Sequence, residues 1–567
     1  MITASQKSVS AGATQPNKIS LRRVWIPRIA FALVAPVLLL LLVEGALRLF
    51  HVGYSTALME PCSVHGRSAS CYNLFFPAPY FPPGMIKTPQ FFSIPAEKPK
   101  NTYRIVVLGE SAAEGDPDPA YGFSRYLEVM LRSRFPGAKF EIINTGMVAI
   151  NSHVIRDIAR GLAQYQPDLF IVYSGSNEVV GPYGPGTVLT SSSMNPALIR
   201  ASVFLRSTRL GQLLTNASSQ RSEWRGMEMF LDKQVPADSP RLQPAYRNFA
   251  SNLKDIIETA EQAGAHVLLS TVATNLKDSA PFGSLHREGL GADAQEKWDS
   301  LVRQGISSEI AGANAEACQA YESAAKLDDQ YAELQFRFAH CLWTLGDYSA
   351  ANDHFVRARD LDTLRFRADS RINEIIRSVA GSSGPNVQLL DAQALFAENS
   401  RNGVAGSELL YDHVHLTPLG SYLFARTAFT DIVKILPQQI LSLANGHTDP
   451  PSEADCEALL ALTPYDRSRV ASEMMDRLQR PPFTGQLNHA EQVQNLMFRV
   501  AGTAQNPRET ASQYEWALAQ APNDLTLHYK FGLFLFNYDR NASAQQLILA
   551  RPNDTFPVFL PDGTQIR

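Results

Sequence analysis

Three residues far apart in the chain have side chains that together could carry out a reaction. Ser111 follows an apolar run, 106–108, and the dipeptide Gly109-Glu110, while Asp412 and His415 stand three positions apart far downstream. A serine hydroxyl becomes an effective nucleophile when a positioned base removes its proton, and a histidine oriented by a carboxylate is such a base. The pattern therefore predicts Ser111 as nucleophile, His415 as base and Asp412 as the group that orients the base.

The sequence just after His415 predicts how Asp412 and His415 are held. Thr417-Pro418 is typical of a helix start, with threonine as the N-cap and proline in the first turn, so both residues lie on a short loop before a helix that runs to about residue 435. Two alternatives remain open at this point. Asp412 and His413 could simply cap and line the loop, and His413 could replace His415 as the base.

Short apolar segments and amphipathic segments alternate around these residues. Strands are predicted over 104–109, 140–144, 169–174, 266–272 and 387–391, and helices over 121–135, 153–165 and 244–263. This alternation indicates an α/β fold with a parallel sheet covered on both faces. Sites in such sheets lie at the carboxyl ends of the strands, and Ser111, Gly146 and Asn177 each follow a predicted strand closely.

Four sequence blocks resemble those of the SGNH (GDSL-type) hydrolases, over about 103–276 and 387–435. The blocks are Gly109-Glu110-Ser111, the segment 144–152, Gly175-Ser176-Asn177-Glu178 and Asp412-His413-Val414-His415. Glu110 and Glu178 stand where family members usually carry aspartate. The resemblance implies a flavodoxin-like three-layer parallel sheet, a Ser111–His415–Asp412 triad that hydrolyses esters, and no cofactor or metal.

The resemblance also implies an oxyanion hole, and here the chain departs from the family pattern. The Ser111 N–H and the Asn177 side chain would be two of its donors. The third is usually the N–H of a glycine in the second block, but that position is Ala149, and Gly146 lies three residues earlier. An N–H donor needs glycine only where the backbone has positive φ, so Gly146 and Ala149 both remain candidates.

Length and composition limit the remaining possibilities. A chain of 567 residues is too long for one core, so two or three domains are expected. Its 45% hydrophobic and 19% charged residues describe a folded protein. A net charge of −4, with no basic stripe, argues against nucleic-acid binding, and no spacing of ligand residues indicates a metal site.

An internal repeat interrupts the hydrolase-like pattern. Five residues recur at an offset of 34 positions: Ala317, Tyr321, Ala324, Leu327 and Asp328 are followed by Ala351, Phe355, Ala358, Leu361 and Asp362. This period is typical of tetratricopeptide repeats. We therefore predict hydrolase segments at 101–290 and 371–440, inserted repeats at 291–370 and a weaker repeat-like helical region at 441–567. The aperiodic stretch 181–240 is either a lid over the site or a packing insertion.

The N-terminus predicts targeting. A basic tail, 1–28, precedes an apolar segment, 29–50, that is long enough to span a membrane if Glu44 and Arg48 pair near its exit. The positive residues before the apolar segment predict that the rest of the chain lies on the periplasmic or extracellular side of the inner membrane. The apolar run is not followed by a convincing small-x-small cleavage site, which favours an uncleaved single-pass anchor. A cleaved signal peptide and a core helix are the alternatives.

The segment after the anchor and the five cysteines add two expectations. Residues 51–100 are predicted to form a proline-rich linker in which Cys62 and Cys71 form a disulfide. Cys318, Cys341 and Cys456 fall on helical patterns and are expected to behave as small buried apolar residues.

These observations support three hypotheses. The first is a membrane-anchored serine esterase that removes acyl groups from carbohydrate or other envelope substrates through an acyl-enzyme. The second is an O-acyltransferase that uses the same triad. The third is an interaction scaffold in which the repeats bind a protein partner and the SGNH domain is structural. The complete set Ser111, Asn177, Asp412 and His415 favours the enzyme.

Overall fold

The structure is a computed structural model that describes residue 5 and residues 21–87, 89–190, 195–218, 223–446, 449–500 and 506–566. Most of the predicted basic tail, 1–28, therefore lies outside the described residues. The chain forms two compact units. One comprises 1–54 and 205–218, and the other comprises 55–204 and 219–567.

The described residues form ten strands and twenty-one α-helices. The strands are β1 (Met59–Val64), β2 (Arg67–Tyr72), β3 (Ser93–Pro95), β4 (Thr102–Gly109), β5 (Lys139–Asn144), β6 (Leu169–Tyr173), β7 (His266–Ser270), β8 (Val387–Leu390), β9 (Val558–Phe559) and β10 (Gln565–Ile566). The helices of the first half are α1 (Leu21–Leu49), α2 (Ser111–Glu114), α3 (Phe123–Arg134), α4 (Ser152–Leu162), α5 (Pro196–Ser207), α6 (Arg209–Ser218), α7 (Leu242–Gln262), α8 (Ala292–Ile310), α9 (Asn314–Ala325), α10 (Ala332–Thr344) and α11 (Tyr348–Leu361). Those of the second half are α12 (Ser370–Ser382), α13 (Ala392–Glu398), α14 (Pro418–Ile435), α15 (Gln438–Leu441), α16 (Glu453–Leu459), α17 (Pro464–Leu478), α18 (His489–Val500), α19 (Pro507–Gln520), α20 (Leu525–Leu535) and α21 (Arg540–Leu549).

The larger unit is organised around a five-stranded parallel sheet in the order β5-β4-β6-β7-β8. Every residue of β4 and β6 is buried, as the continuous apolar runs in these strands require when both faces of a parallel sheet are covered. One group of covering helices includes α3 packed on α14, and another includes α4 and α12, each packed on α7. The α/β fold and all five predicted strands are confirmed.

The smaller unit contains α1 and α6, which pack on each other. Within α1 the stretch Phe31–Leu49 is apolar and long enough to cross a membrane. Arg48 Nε lies 2.8 Å from Glu44 Oε1, as the spacing of these two residues predicted.

Helices α8–α11 lie between β7 and β8, where an insertion was predicted, and neighbouring helices pack on each other. The repeated alanine and aromatic positions are buried in both copies: Ala317, Tyr321 and Ala324 in α9, and Ala351, Phe355 and Ala358 in α11. Assignment of these helices to the tetratricopeptide family remains a prediction.

Two expectations, one about Cys318 and Cys341 and one about the segment 51–100, were wrong. Cys318 and Cys341 are not separate apolar side chains, because packing of α9 on α10 brings their Cα atoms to 5.7 Å and the two sulfurs form a disulfide. The segment 51–100 is more than a linker. It contains the antiparallel sheet β1-β2-β3 and buried aromatic residues such as Tyr80. The expected Cys62–Cys71 disulfide joins β1 to β2.

Candidate active site

Ser111, His415 and Asp412 form one hydrogen-bonded line at the carboxyl end of β4. Ser111 is the first residue of α2, directly after the strand. Its Oγ lies 2.9 Å from His415 Nε2, and His415 Nδ1 lies 2.7 Å from Asp412 Oδ2. These contacts place a hydroxyl, an imidazole and a carboxylate in the order that serine catalysis requires.

Local backbone bonds fix Asp412 and the loop that carries it. Asp412 Oδ1 accepts the N–H groups of Val414 and His415, each at 3.0 Å. Thr417 Oγ1 caps α14 by accepting the Gly420 N–H at 3.2 Å, as the sequence predicted. Burial opposes the charge on Asp412, but His415 and His413 outweigh it and hold the pKa of Asp412 well below its usual range. The orienting residue is therefore a carboxylate.

His413 takes no part in the contact with Ser111. Its ring lies against the aromatic rings of Phe282, Phe366 and Phe483, and burial lowers its pKa. Its Nδ1 is 3.3 Å from Asp412 Oδ1, the oxygen that does not bind His415 Nδ1. The geometry therefore favours His415 as the base.

Two charged residues beside His415 were missed by sequence reasoning. Asp116 Oδ2 lies 3.0 Å from His415 Nε2, so it is a second potential acceptor for the same ring nitrogen. Arg477, on α17, holds Asp116 by two hydrogen bonds of 2.7 and 2.9 Å. Its Nη1 also lies 3.5 Å from Asp412 Oδ2. The C-terminal helical region thus contributes a residue to the site, which no local motif around Arg477 signals.

The charges around His415 determine its protonation. Burial disfavours the imidazolium, but Asp412 and Asp116 outweigh burial and raise the pKa of His415 to about 9. Arg477 and His415 together hold the pKa of Asp116 low against the effect of burial. At neutral pH the free site therefore holds His415 largely as imidazolium, with a carboxylate on each side.

The two glutamates that depart from the family pattern have structural contacts. Glu110 accepts the N–H groups of Gly175, Ser176 and Asn177 at 2.9–3.2 Å, so it holds the loop that carries Asn177. Glu178 accepts the N–H and the hydroxyl of Ser152 at 2.8 Å each, at the start of α4. Burial, together with the Glu178 charge, raises the pKa of Glu110 to about 8, and burial raises that of Glu178 to about 7.

Gly146 and Ala149, the two candidate oxyanion donors, have different surroundings. The Gly146 N–H donates to Asn144 Oδ1 at 2.9 Å, and a Cβ on Gly146 would lie 2.3 Å from the Glu114 nitrogen. Gly146 therefore permits close packing against α2 and has no free N–H. Ala149 has φ of +63°, the conformation that usually favours glycine, and it lines the cavity beside Ser111 and Asn177.

Three donors remain available at this edge of the cavity. Within the described residues, no protein acceptor is found for the backbone N–H of Ser111, the backbone N–H of Ala149 or the side-chain amide of Asn177. All three residues line the same cavity. Free donors of this kind stabilise a developing oxyanion.

The cavity has a volume of about 450 Å³. Part of its wall comes from the aperiodic stretch 181–240, including Trp224, Met227 and Phe230. Its buried lining combines apolar side chains, among them Val180, Phe366 and Phe483, with the imidazoles of His413 and His415. Exposed charged residues complete the lining: Arg225, Glu473, Asp476 and Arg480.

Asp412, His413 and His415 are close enough to one another to hold a metal ion. Two of these residues are already engaged, because Asp412 Oδ2 binds His415 Nδ1 and His415 Nε2 binds Ser111. A metal ion here would break the Ser111–His415–Asp412 line. The hydrogen bonds therefore favour a role for Asp412 and His415 in orienting and deprotonating Ser111 over a role as metal ligands.

Comparisons with known proteins give weak similarities. No family model and no curated protein matches the sequence. Among solved structures, the chain is similar to an acetyl xylan esterase with 12% identity and a TM-score of 0.26, over 58% of this chain and 99% of that one. It is also similar to a GDSL-like lipase from Bacteroides thetaiotaomicron VPI-5482 with 11% identity and a TM-score of 0.27, over 60% of this chain and 93% of that one. The function must therefore be argued from the site itself.

Proposed function

We propose that the chain is a serine ester hydrolase of the SGNH type in which Ser111, His415 and Asp412 are the catalytic residues. The observation that supports this most is the continuous contact from Ser111 Oγ to His415 Nε2 at 2.9 Å and from His415 Nδ1 to Asp412 Oδ2 at 2.7 Å. Nucleophile, base and orienting carboxylate adjoin a cavity whose walls provide three free hydrogen-bond donors.

In the acylation step, neutral His415 takes the proton of Ser111 as Oγ attacks the ester carbonyl carbon. The carbonyl oxygen becomes an oxyanion that accepts hydrogen bonds from the Ser111 N–H, the Ala149 N–H and the Asn177 side-chain amide. Collapse of the tetrahedral intermediate breaks the carbon–oxygen bond of the ester. His415 gives its proton to the departing alkoxide oxygen, leaving an acyl group on Ser111.

In the deacylation step, a water molecule replaces the alcohol. His415 takes a proton from the water, the hydroxide attacks the acyl carbon, and the same donors stabilise the second oxyanion. The Ser111–acyl bond then breaks, His415 returns the proton to Ser111 Oγ, and the carboxylic acid leaves. Asp412 remains ionised throughout and stabilises the imidazolium that forms in both steps.

We further propose that the enzyme is anchored in the inner membrane and acts outside the cytoplasm. The apolar helix Phe31–Leu49 supports anchoring, and the positive residues before it support this orientation. The disulfides Cys62–Cys71 and Cys318–Cys341 support an oxidising compartment. A cavity with apolar side chains in its wall and exposed charged residues suits an acyl group carried by a polar alcohol, so O-acylated carbohydrates or other envelope polymers are the proposed substrates.

The test is turnover of short-chain aryl esters by the purified full-length chain. Ser111→Ala and His415→Ala should each lower kcat by about 10³-fold or more, because the triad acts as a unit. Leu345→Ala, at an exposed position of the inserted helices, is the matched control and should retain activity. A folded wild-type protein without turnover, or variants as active as wild type, would contradict the proposal.

The same experiment separates hydrolysis from acyl transfer. The acyl product is identified by mass spectrometry with an oligosaccharide alcohol present at increasing concentration. Free acid as the main product supports the hydrolase. An acylated oligosaccharide as the main product would make the chain an acyltransferase with the same triad.

A further inference from the structure

Helix α6 begins on a side chain of the apolar helix α1. Glu44, near the end of α1, accepts the N–H of Arg209 at 3.1 Å and the N–H of Leu210 at 3.0 Å. These are the first two N–H groups of α6, which have no acceptor within their own helix. The acidic residue that interrupts an otherwise apolar segment therefore caps α6 and fixes its start to the end of α1.

The most buried described side chain of α6 is polar. The side chain of Gln212 is almost fully buried, donates to the Tyr54 carbonyl at 2.9 Å and accepts the Tyr54 N–H at 3.0 Å. Gly53 makes this approach possible. It has φ of +79°, and a Cβ there would lie 2.5 Å from Gln212 Oε1. Gln212 of α6 thus binds the backbone of Tyr54, in the segment that follows α1.

The exposed side chains that the structure describes in α6 are apolar. Leu213 is 41% exposed and Leu214 is 64% exposed, and Leu205, just before α6, is 60% exposed. A helix on the surface of a water-soluble protein has the opposite arrangement, with apolar side chains inward and polar side chains outward. In α6 the polar side chain of Gln212 is buried while Leu213 and Leu214 are exposed, as expected of a helix whose outer face contacts lipid.

The exposed leucines are continuous with the apolar end of α1. Leu49, the last residue of α1, and Phe50 are 74% and 76% exposed, and α6 belongs to the same compact unit as α1. Capping by Glu44 places the start of α6 at the level where the apolar helix ends. That level is the interface of the bilayer if Phe31–Leu49 spans it.

We propose that α6 is an interfacial helix and that a leucine face, formed by Leu213 and Leu214 of α6 together with Leu205 at the end of α5, inserts into the leaflet in which α1 ends. This proposal rests on the membrane anchoring proposed above and goes beyond it, since it adds a second attachment to the same bilayer. Helices of this kind lie along the interface with their apolar face about 5–10 Å deep, at the boundary of headgroups and acyl chains. The partner is thus the lipid surface itself.

The test places a fluorophore on α6 of the full-length chain in phosphatidylcholine–phosphatidylglycerol vesicles. Leu214→Cys is labelled with an environment-sensitive dye, because four native cysteines form disulfides and Cys456 is buried. Lipids that carry a spin label near the headgroup should quench the dye by about twofold or more. Aqueous iodide should quench it weakly, and a spin label near the bilayer centre should quench it less than the shallow one.

Two control positions make the outcome decisive. Leu39→Cys, in the middle of α1 and 62% exposed, should be quenched best by the deep spin label. Ile310→Cys, at the exposed end of α8, should be quenched by iodide. If lipid spin labels quench the dye on Leu39→Cys but iodide quenches the dye on Leu214→Cys, then α6 faces water. The inference is then wrong, while membrane anchoring stands.

Two other results would also overturn the inference. If Leu214 is protected from both quenchers, protein covers the leucine face, for instance a second copy of the chain. If lipid spin labels quench neither the dye on Leu39→Cys nor the dye on Leu214→Cys, the proposal of membrane anchoring is itself wrong. The esterase assay does not depend on either result, so the proposed chemistry is tested separately.

Discussion

Replacing Asp116 with asparagine should move the pH dependence of kcat/KM to lower pH. Asp116 Oδ2 lies 3.0 Å from His415 Nε2. Burial of His415 disfavours its charge, but Asp412 and Asp116 outweigh burial and raise the pKa of His415 to about 9. Because only the neutral imidazole can accept the Ser111 proton, kcat/KM of the wild type should rise with pH and level off above about 9.

The size of the shift follows from the geometry. An opposite charge at contact distance moves a pKa by about 1–3 units, and Arg477 neutralises part of the Asp116 charge, so we take about 1 unit. With a pKa of about 9, roughly 1% of His415 is neutral at pH 7. Lowering that pKa by about 1 unit makes roughly 10% neutral, so kcat/KM at pH 7 should rise about tenfold.

Arg477→Gln is the matched variant, and it should shift the pKa of His415 in the opposite direction. Arg477 binds Asp116 through both of its terminal nitrogens. Its removal leaves the Asp116 charge unbalanced beside His415 and takes away a positive charge near the ring. Both effects favour the imidazolium, so the pKa of His415 should rise and activity at neutral pH should fall.

The assay is initial-rate hydrolysis of an aryl ester at low substrate concentration and constant ionic strength, from pH of about 6 to about 10.5. Circular dichroism checks that each variant is folded. If the Asp116→Asn midpoint does not move, or if both variants move it in the same direction, the assignment of Asp116 and Arg477 to the electrostatics of His415 is wrong.

The remaining predictions concern the oxyanion donors and the inserted helices. Asn177→Ala should lower kcat by about 10²–10³-fold with a smaller effect on KM, measured by steady-state kinetics. Gly146→Ala should destabilise the protein by about 1–3 kcal/mol in denaturant unfolding, because its Cβ would lie 2.3 Å from the Glu114 nitrogen. Ala149→Gly should keep activity and leave the unfolding free energy equal or higher, since φ of +63° disfavours alanine. Opening the Cys318–Cys341 disulfide with Cys318→Ser should lower the unfolding free energy by about 2–4 kcal/mol and lower the Tm in calorimetry.

The sheet could be predicted because its signal is local and strong. The strands β4 and β6 are buried on both faces, so each is a short run of consecutive apolar residues. Ser111 and Asn177 each follow one of these strands by a few residues, where parallel sheets place their sites. The role of Asn177 was implied by the resemblance of its sequence block to those of the SGNH hydrolases. The loop of Asp412 and His415 was predictable from the Thr417-Pro418 helix start that follows it.

The rest of the site depends on long-range packing that leaves no local signal. Arg477 reaches Asp116 across a sequence separation of 361 residues, and nothing in the composition of α17 distinguishes it from another surface helix. The choice between Gly146 and Ala149 depended on a backbone angle and on the Asn144 contact, neither of which can be read from residue type. The Cys318–Cys341 bond was missed because it requires knowing that α9 packs on α10.

The central claim is that Ser111 is an activated nucleophile, and covalent labelling tests it most directly. The full-length chain is treated with a fluorophosphonate, and the modified residue is located by peptide mass spectrometry. The geometry predicts one adduct on Ser111 that is abolished in Ser111→Ala and strongly slowed in His415→Ala. A folded wild-type protein whose Ser111 stays unmodified, or whose labelling is unaffected by His415→Ala, would contradict the account.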